Sequence, residues 1–132
     1  MAGTLARLKR RADFLAVAAA RQKWIAPGLI VQVRRRADTD IAANRRPGGK
    51  KMDPAGPRIG FTVSGKVGNA VARNRARRRL KAALANLAAA NLVGGVDVVI
   101  VGRTETLRRP FPDLIGDLVQ AFRRLGVWKA DQ

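Results

Sequence analysis

The sequence predicts an α/β (α+β) two-layer sandwich in which a small mixed sheet is covered by three helices, in the order α-β-β-α-β-α. Three observations carry this expectation. Two runs, at 29–34 and 59–64, alternate apolar and polar residues with the period of two that a half-buried strand requires. A third, VDVVIV at 96–101, is nearly continuous in β-branched residues, which suits a central strand covered on both faces. Between and around these runs lie stretches rich in Ala, Leu and Arg, all good helix formers.

The first helix is expected over 10–20, with Phe14, Val17 and Ala18 spaced to share one face. Pro27 and Gly28 break the chain. The strand that follows sets Leu29, Val31 and Val33 against Ile30, Gln32 and Arg34. Residues 35–57 lose periodicity and collect Arg, Lys, Pro and Gly, a composition that cannot bury enough surface to fold alone. They read as a mobile basic loop inside a single domain spanning 1–132. Such a loop is long for a compact domain, but a strand resumes at once: Ile59, Phe61 and Val63 face one way, Arg58, Thr62 and Ser64 the other, and Gly60 leaves room on the polar side. A turn at 65–69 leads into a long helix from 70 to about 92, which Gly94 and Gly95 stop. Pro110 and Pro112 open the last helix, where Leu114, Leu118 and Leu125 line one side and Asp113 complements the positive end of the helix dipole.

The charge balance narrows the partners. The 132 residues carry 27 Lys and Arg against 9 Asp and Glu, a formal net charge of +18. Such an imbalance repels itself on compaction unless a polyanion neutralises it, and nucleic acid is the obvious one. Arginine outnumbers lysine twenty to seven. Because Arg forks onto phosphate, stacks on bases and stays charged when partly desolvated, the bias favours structured recognition. The absence of cysteine excludes disulfides and thiolate metal sites, and a reducing cytoplasm is the expected compartment. The short apolar run FLAVAAA at 14–20 is bounded by Asp13 and Arg21 and fits a helix better than a targeting signal. No stretch approaches the roughly 20 apolar residues that span a bilayer, so no membrane partner is expected.

The charge concentrates in one place. No acid occurs between Asp53 and Asp97, and Lys66, Arg73, Arg75, Arg77, Arg78, Arg79 and Lys81 crowd the middle of that gap. Like charges four residues apart on a helix, as at Arg73, Arg77 and Lys81, cost stability, so a merely solvated face is a poor explanation. At about 100° per residue Arg73 and Arg77 share the side of Leu80, Leu84 and Leu87. Because buried unpaired Arg is prohibitive, the first turns should project beyond the sheet. The helix start adds its own anion-binding amides. Asn69 reads equally as an N-cap and as a base or phosphate contact.

The segment RIGFTVSGKVGNAVARNRARRRLKAAL at 58–84, with its KxGNAVxRNRxxRRL pattern, resembles the signature of the bacterial ribonuclease P protein subunit family. The opening RLKRRADF, the two strands, VDVVIVGR and the closing helix extend the resemblance over most of the chain; only the 35–57 loop is unmatched in length. The resemblance implies a subunit of an endoribonuclease that matures the 5′ end of tRNA. Its partners would be a catalytic RNA and precursor tRNA, whose single-stranded 5′ leader would lie in a cleft between the sheet and the first helix. It also implies a left-handed β-α-β crossover, against the general right-handed rule.

Residue by residue, Lys66, Asn69, Arg73, Asn74, Arg75, Arg77 and Arg78 match the central motif and are the main expected RNA contacts. Phe14 matches the first-helix aromatic of the leader cleft, although a lone Phe on an apolar face is as readily core. Arg11, Arg34, Arg58, Thr62 and Ser64 are expected in the cleft or on its rim. The family commonly has a second aromatic at the position of Ala18 and a Tyr near Gln32, so base stacking should contribute less here and charge more.

Side-chain catalysis is not expected. There is no histidine, Glu105 is the lone glutamate, and the neighbouring Asp38 and Asp40 fall in the expected loop, so neither catalytic nor metal residues are assigned. No cofactor is expected on the protein alone; magnesium in the holoenzyme would be held mainly by RNA, and no obligate protein partner is evident. A ribosomal or RNA-chaperone binding protein and a DNA-binding module are the rival classes, and the long motif favours the ribozyme subunit.

Overall fold

Chain segments rich in β-branched residues pair side by side in the computed structural model, which describes residues 6–36, 56–87 and 92–128. The described residues form one mixed sheet of β1 (Ala6–Arg7), β2 (Gln22–Ile25), β3 (Leu29–Arg35), β4 (Arg58–Val63) and β5 (Val96–Gly102), ordered β1-β4-β5-β3-β2. β4 runs parallel to β5 and to β1, while β3 is antiparallel to β5 and to β2. The helices are α1 (Arg11–Ala19), α2 (Ala70–Ala85) and α3 (Phe111–Arg124), and α2 makes the crossover between the parallel strands β4 and β5.

β5 lies at the centre and is buried on both sides, as its β-branched run requires. Val96, Val98 and Ile100 join Leu29, Val31, Val33, Ile59 and Val63 beneath α2 and α3, where Leu80, Leu84, Leu114, Leu118 and Phe122 complete the main core. Phe122 stacks on Trp128 with ring centroids 5.9 Å apart. On the opposite side Val99 packs with Leu8 and Val17 under α1. Among the described residues the sheet thus has one thickly covered face and one crossed by a nine-residue helix.

Two strands were not expected. β1 has only two residues, and β2 is an edge strand whose QKWI sequence lacks alternation and leaves only Trp24 half-buried. The Pro27–Gly28 break is the turn of the β2–β3 hairpin, closed by the Ala26 amide donating to the Leu29 carbonyl at 2.8 Å. Gly28 also donates its amide to Asp117 Oδ2 at 3.0 Å. A Cβ there would lie 2.7 Å from Leu114 Cδ2, so only glycine lets this turn dock on α3.

Two expectations need correcting. The long helix ends at Ala85, with Asn86 as its C-cap, rather than near 92. Asn86 folds its amide back to donate to the Ala82 carbonyl at 2.9 Å, the local competition with helical bonding that makes Asn a terminator. Leu92 instead forms a β-bridge with Trp128, and Gly94 and Gly95 lie in the approach to β5. The expected loop at 35–57 begins later than expected, while β4 starts at Arg58 where the loop was expected to end. Arg35 belongs to β3, and Arg36 is buried, donating to the Val96 and Gly56 carbonyls at 3.0 and 2.6 Å. The middle of that loop, 37–55, lies outside the described residues.

Candidate nucleic-acid interface

The cationic helix begins where backbone geometry forces it to. Gly65–Val67 makes a 3₁₀ turn, and Gly68 follows at φ 151, where a Cβ would come within 2.8 Å of the Ala72 Cβ. Asn69 then caps α2, its Oδ1 accepting from the Ala72 amide at 3.0 Å. The structural half of the Asn69 expectation is therefore met, on a side chain that remains exposed.

From this start the buried line of α2 runs through Ala76, Leu80, Ala83 and Leu84. Asn74, Arg75 and Arg78 consequently point to solvent, as does Lys66 in the preceding turn. Arg73 and Arg77 flank the buried line and are half-buried rather than projecting clear of it; Arg77 donates to Asn74 Oδ1 at 2.9 Å. Arg79 turns the other way and donates to the Arg109 carbonyl, a strut between α2 and the segment leading into α3. Among the described residues no carboxylate pairs with Lys66, Arg73, Arg75, Arg77 or Arg78.

The thinly covered face of the sheet holds an open cleft of about 530 Å³ beside α1. Arg11, Phe14, Thr62 and Gln32 meet there, together with Lys9 and Phe61, which sequence reasoning did not place in it. Phe14 serves both readings offered for it: it packs on Leu8, Val17 and Val99 while its ring walls the cleft. Gly60 makes this possible, since a Cβ there would fall 2.6 Å from Phe14 Cε1. Ala18 and Gln32, at or near which the resembled family carries aromatics, line the same cleft and leave it wide. Lys23 stands opposite Gln32 in the β2–β3 register, adding a cation at the far margin. Ser64 is exposed beyond the end of β4.

Arg34 and Arg58 sit elsewhere. Both are register partners of Asp97, one from each flanking strand. Asp97 is fully buried and accepts from Arg58 through two bonds of 2.7 Å and from Arg36 at 2.6 Å, with Arg34 at 3.7 Å. Arg58 also approaches Asp13 of α1 at 3.6 Å, tying the helix to the sheet. Arg58, expected in the cleft or on its rim, gives its guanidinium to Asp97 while its side chain stays partly exposed, because a carboxylate inside a sheet must be paired. Burial pushes the Asp97 carboxyl up, but hydrogen bonds from Arg58 and Arg36 outweigh it and hold the group below the usual carboxylate range.

The fold and these surfaces define a class: small basic α/β sandwiches that present a cationic crossover helix and, on the opposite face of the sheet, an open cleft beside a short helix. A family model described as Ribonuclease P matches residues 3–126, and the chain belongs to that family. It is 51% identical over 126 residues to the ribonuclease P protein component of Paramagnetospirillum magneticum, covering 96% of this chain and 86% of that one. It is 44% identical over 131 residues to the corresponding protein of Gluconacetobacter diazotrophicus, covering 99% and 100%. Among solved structures it is similar to the Staphylococcus aureus RNase P protein, with a TM-score of 0.68 at 18% identity over 95% of this chain and 99% of that one. The Thermotoga maritima RNase P protein gives a TM-score of 0.63 at 22% identity, covering 86% and 92%. At those identities the likeness is one of fold.

Proposed function

We propose that the chain acts as a single RNA-binding domain, the protein subunit of a ribonuclease P whose catalyst is RNA. The α2 face engages the catalytic RNA, and the α1 cleft takes the single-stranded 5′ leader of precursor tRNA, in the cytoplasm. The observation that carries this reading is the acid-free run of lysine and arginines from Lys66 to Arg78, exposed or half-buried on α2 and the turn before it, which gains nothing from its mutual repulsion. The cleft adds what a flexible strand requires: one aromatic wall, an open width and cations at its margins. The protein's own part is binding and positioning. Its two buried carboxylates, Asp97 and Asp117, already accept from arginines, and no described group of three His, Cys, Asp or Glu could hold a metal. In this reading the magnesium of the holoenzyme is held mainly by RNA phosphates. Among the described residues no helix is long and apolar enough to cross a membrane.

The test is reconstitution with the RNA subunit from the same source. Affinity for precursor tRNA should exceed that for mature tRNA, because only the precursor has a leader, and cleavage at low magnesium should depend on the protein. Equal affinities would remove the leader from this account, and RNA binding without any effect on cleavage would favour a ribosomal or chaperone role. The cleft makes a separate prediction. Gly60→Ala should displace the Phe14 ring and weaken binding of a single-stranded oligonucleotide by about the worth of one stacked base, roughly 1–3 kcal/mol. Anisotropy titration measures it, and unchanged affinity with a displaced ring would show that Phe14 is only core.

A further inference from the structure

We propose that Arg7, Arg77 and Lys81 together grip one phosphodiester group of an RNA strand at the β1–β4 margin of the sheet, which makes the α1 cleft and the α2 face a single continuous track. This rests on the RNA-binding reading above.

The placement follows from register. Arg7 stands opposite Ile59 in the parallel β1–β4 pair, and Ile59 belongs to the core beneath α2. Opposed residues of a parallel pair share a face, so Arg7 lies on the α2 side. The next residue agrees, since Leu8 is buried on the α1 side with Val17 and Val99. Phe61, two residues beyond Ile59 on β4, carries Lys81 Nζ over its ring at 5.9 Å from the centroid. Arg77 is one turn before Lys81 on α2, on the same side of the helix. Phe61 also lines the cleft, so the group stands where the cleft reaches the outer strand.

The group is uncompensated. The other described clusters of this kind are built around acids: Arg34, Arg36 and Arg58 surround Asp97, and Arg109 holds Asp117. No described carboxylate pairs with Arg7, Arg77 or Lys81; Arg77 and Lys81 are neighbours on α2, and the β1–β4 pairing sets Arg7 beside them although the fold did not require a cation there. Their proximity has an electrostatic signature: partial burial, then Arg7, then Arg77 press the Lys81 ammonium below its ordinary value. A phosphodiester is the complementary ligand. Two guanidiniums can fork onto its non-bridging oxygens while the ammonium supplies a point charge, and an aromatic edge beneath excludes water from one side.

The experiment uses the full chain and a fluorescently labelled single-stranded RNA of about 12 nucleotides, long enough to fill a site of the size such proteins use. Lys81→Met and Arg7→Gln should each weaken binding about five- to tenfold and flatten the log–log salt dependence by about 0.7, the value for one phosphate on a single strand. The double variant should lose little more than either single one, because both side chains serve the same phosphate. Lys81→Arg should restore affinity. In the wild-type chain the Lys81 ammonium, followed by NMR, should titrate higher once the oligonucleotide is bound.

Unchanged affinity and slope in Lys81→Met overturn the proposal, as do losses that simply add, which would mean separate contacts. A Lys81 shift produced by inorganic phosphate but not by the oligonucleotide overturns the assignment to RNA. Failure of the wild-type chain to bind the oligonucleotide would instead remove the RNA reading on which the site depends. A melting temperature in Lys81→Met well below wild type, not restored by Lys81→Arg, would show the lysine to be structural.

Discussion

Asp97→Ala is expected to destabilise the fold by about 3–5 kcal/mol, the range found when one member of a buried ion pair is removed and its partner is left behind. The reason lies in the partners. The Arg36 side chain is 0% exposed and donates to Asp97 Oδ1 at 2.6 Å as well as to the Val96 and Gly56 carbonyls, so removing the carboxylate takes its anion away from a buried guanidinium. Arg34 and Arg58 reach solvent more easily and relax at lower cost. Urea unfolding at neutral pH measures the loss, and a midpoint within error of wild type would show that the clasp contributes nothing. The same group sets a pH dependence. Its folded-state value lies below the unfolded one of about 3.9, so its stabilisation is complete above about pH 4 and drains as the pH falls through the depressed folded value. Asp97→Asn should remove this acid limb from the stability curve, which a urea series from pH 7 to about pH 2 would reveal.

The second large effect belongs to the helix. Replacing Arg73 and Arg77 together by Ala should lower RNA affinity on the order of 100-fold, about 3 kcal/mol, if each supplies one charge-assisted contact of about 1.5 kcal/mol. The free protein should melt no lower than wild type. Each removed charge relieves a like-charge pair one turn away, worth about 0.2–0.5 kcal/mol, which offsets the packing lost from two half-buried stems. Anisotropy and thermal melting on the same preparation separate the cases: affinity that falls only in step with stability would make both arginines structural.

How much of this could be read from the residues depends on whether the information was local. Period-two alternation marked β3 and β4, and the VDVVIV run marked a strand buried on both faces. β1 and β2 were invisible because two and four residues at a sheet edge carry no pattern that burial would impose. The helix end was misjudged because alanine propensity pointed past Asn86 while the Asn86 side chain was already bonding back to Ala82. At the site, Lys66 to Arg78 stood out as an acid-free charge run, a property of neighbours in sequence. The cleft was implied only by the resemblance and not by any local pattern, since Lys9 and Phe61 converge on Phe14 and Thr62 only when α1 crosses the sheet.

Arg58 shows what register adds to a sequence pattern. On the polar side of an alternating strand an arginine reads as solvent-facing, yet register sets it beside a carboxylate 39 residues away. The available clue was Asp97 itself, an acid inside a strand with no other polar residue, which had to be paired somewhere.

The two outer strands bear on how the chain behaves before it meets any partner. An open sheet margin is a template on which another molecule can add a strand. Here the described β1 is two residues long and ends in Arg7; β2 on the other side is four residues long, is approached through Arg21 at φ 56, carries Lys23 and closes at Pro27. Brevity, a kink and positive charge at both borders discourage stacking of one copy on the next, so concentrated stocks of the free polypeptide should resist fibrillation even though the sheet never closes on itself.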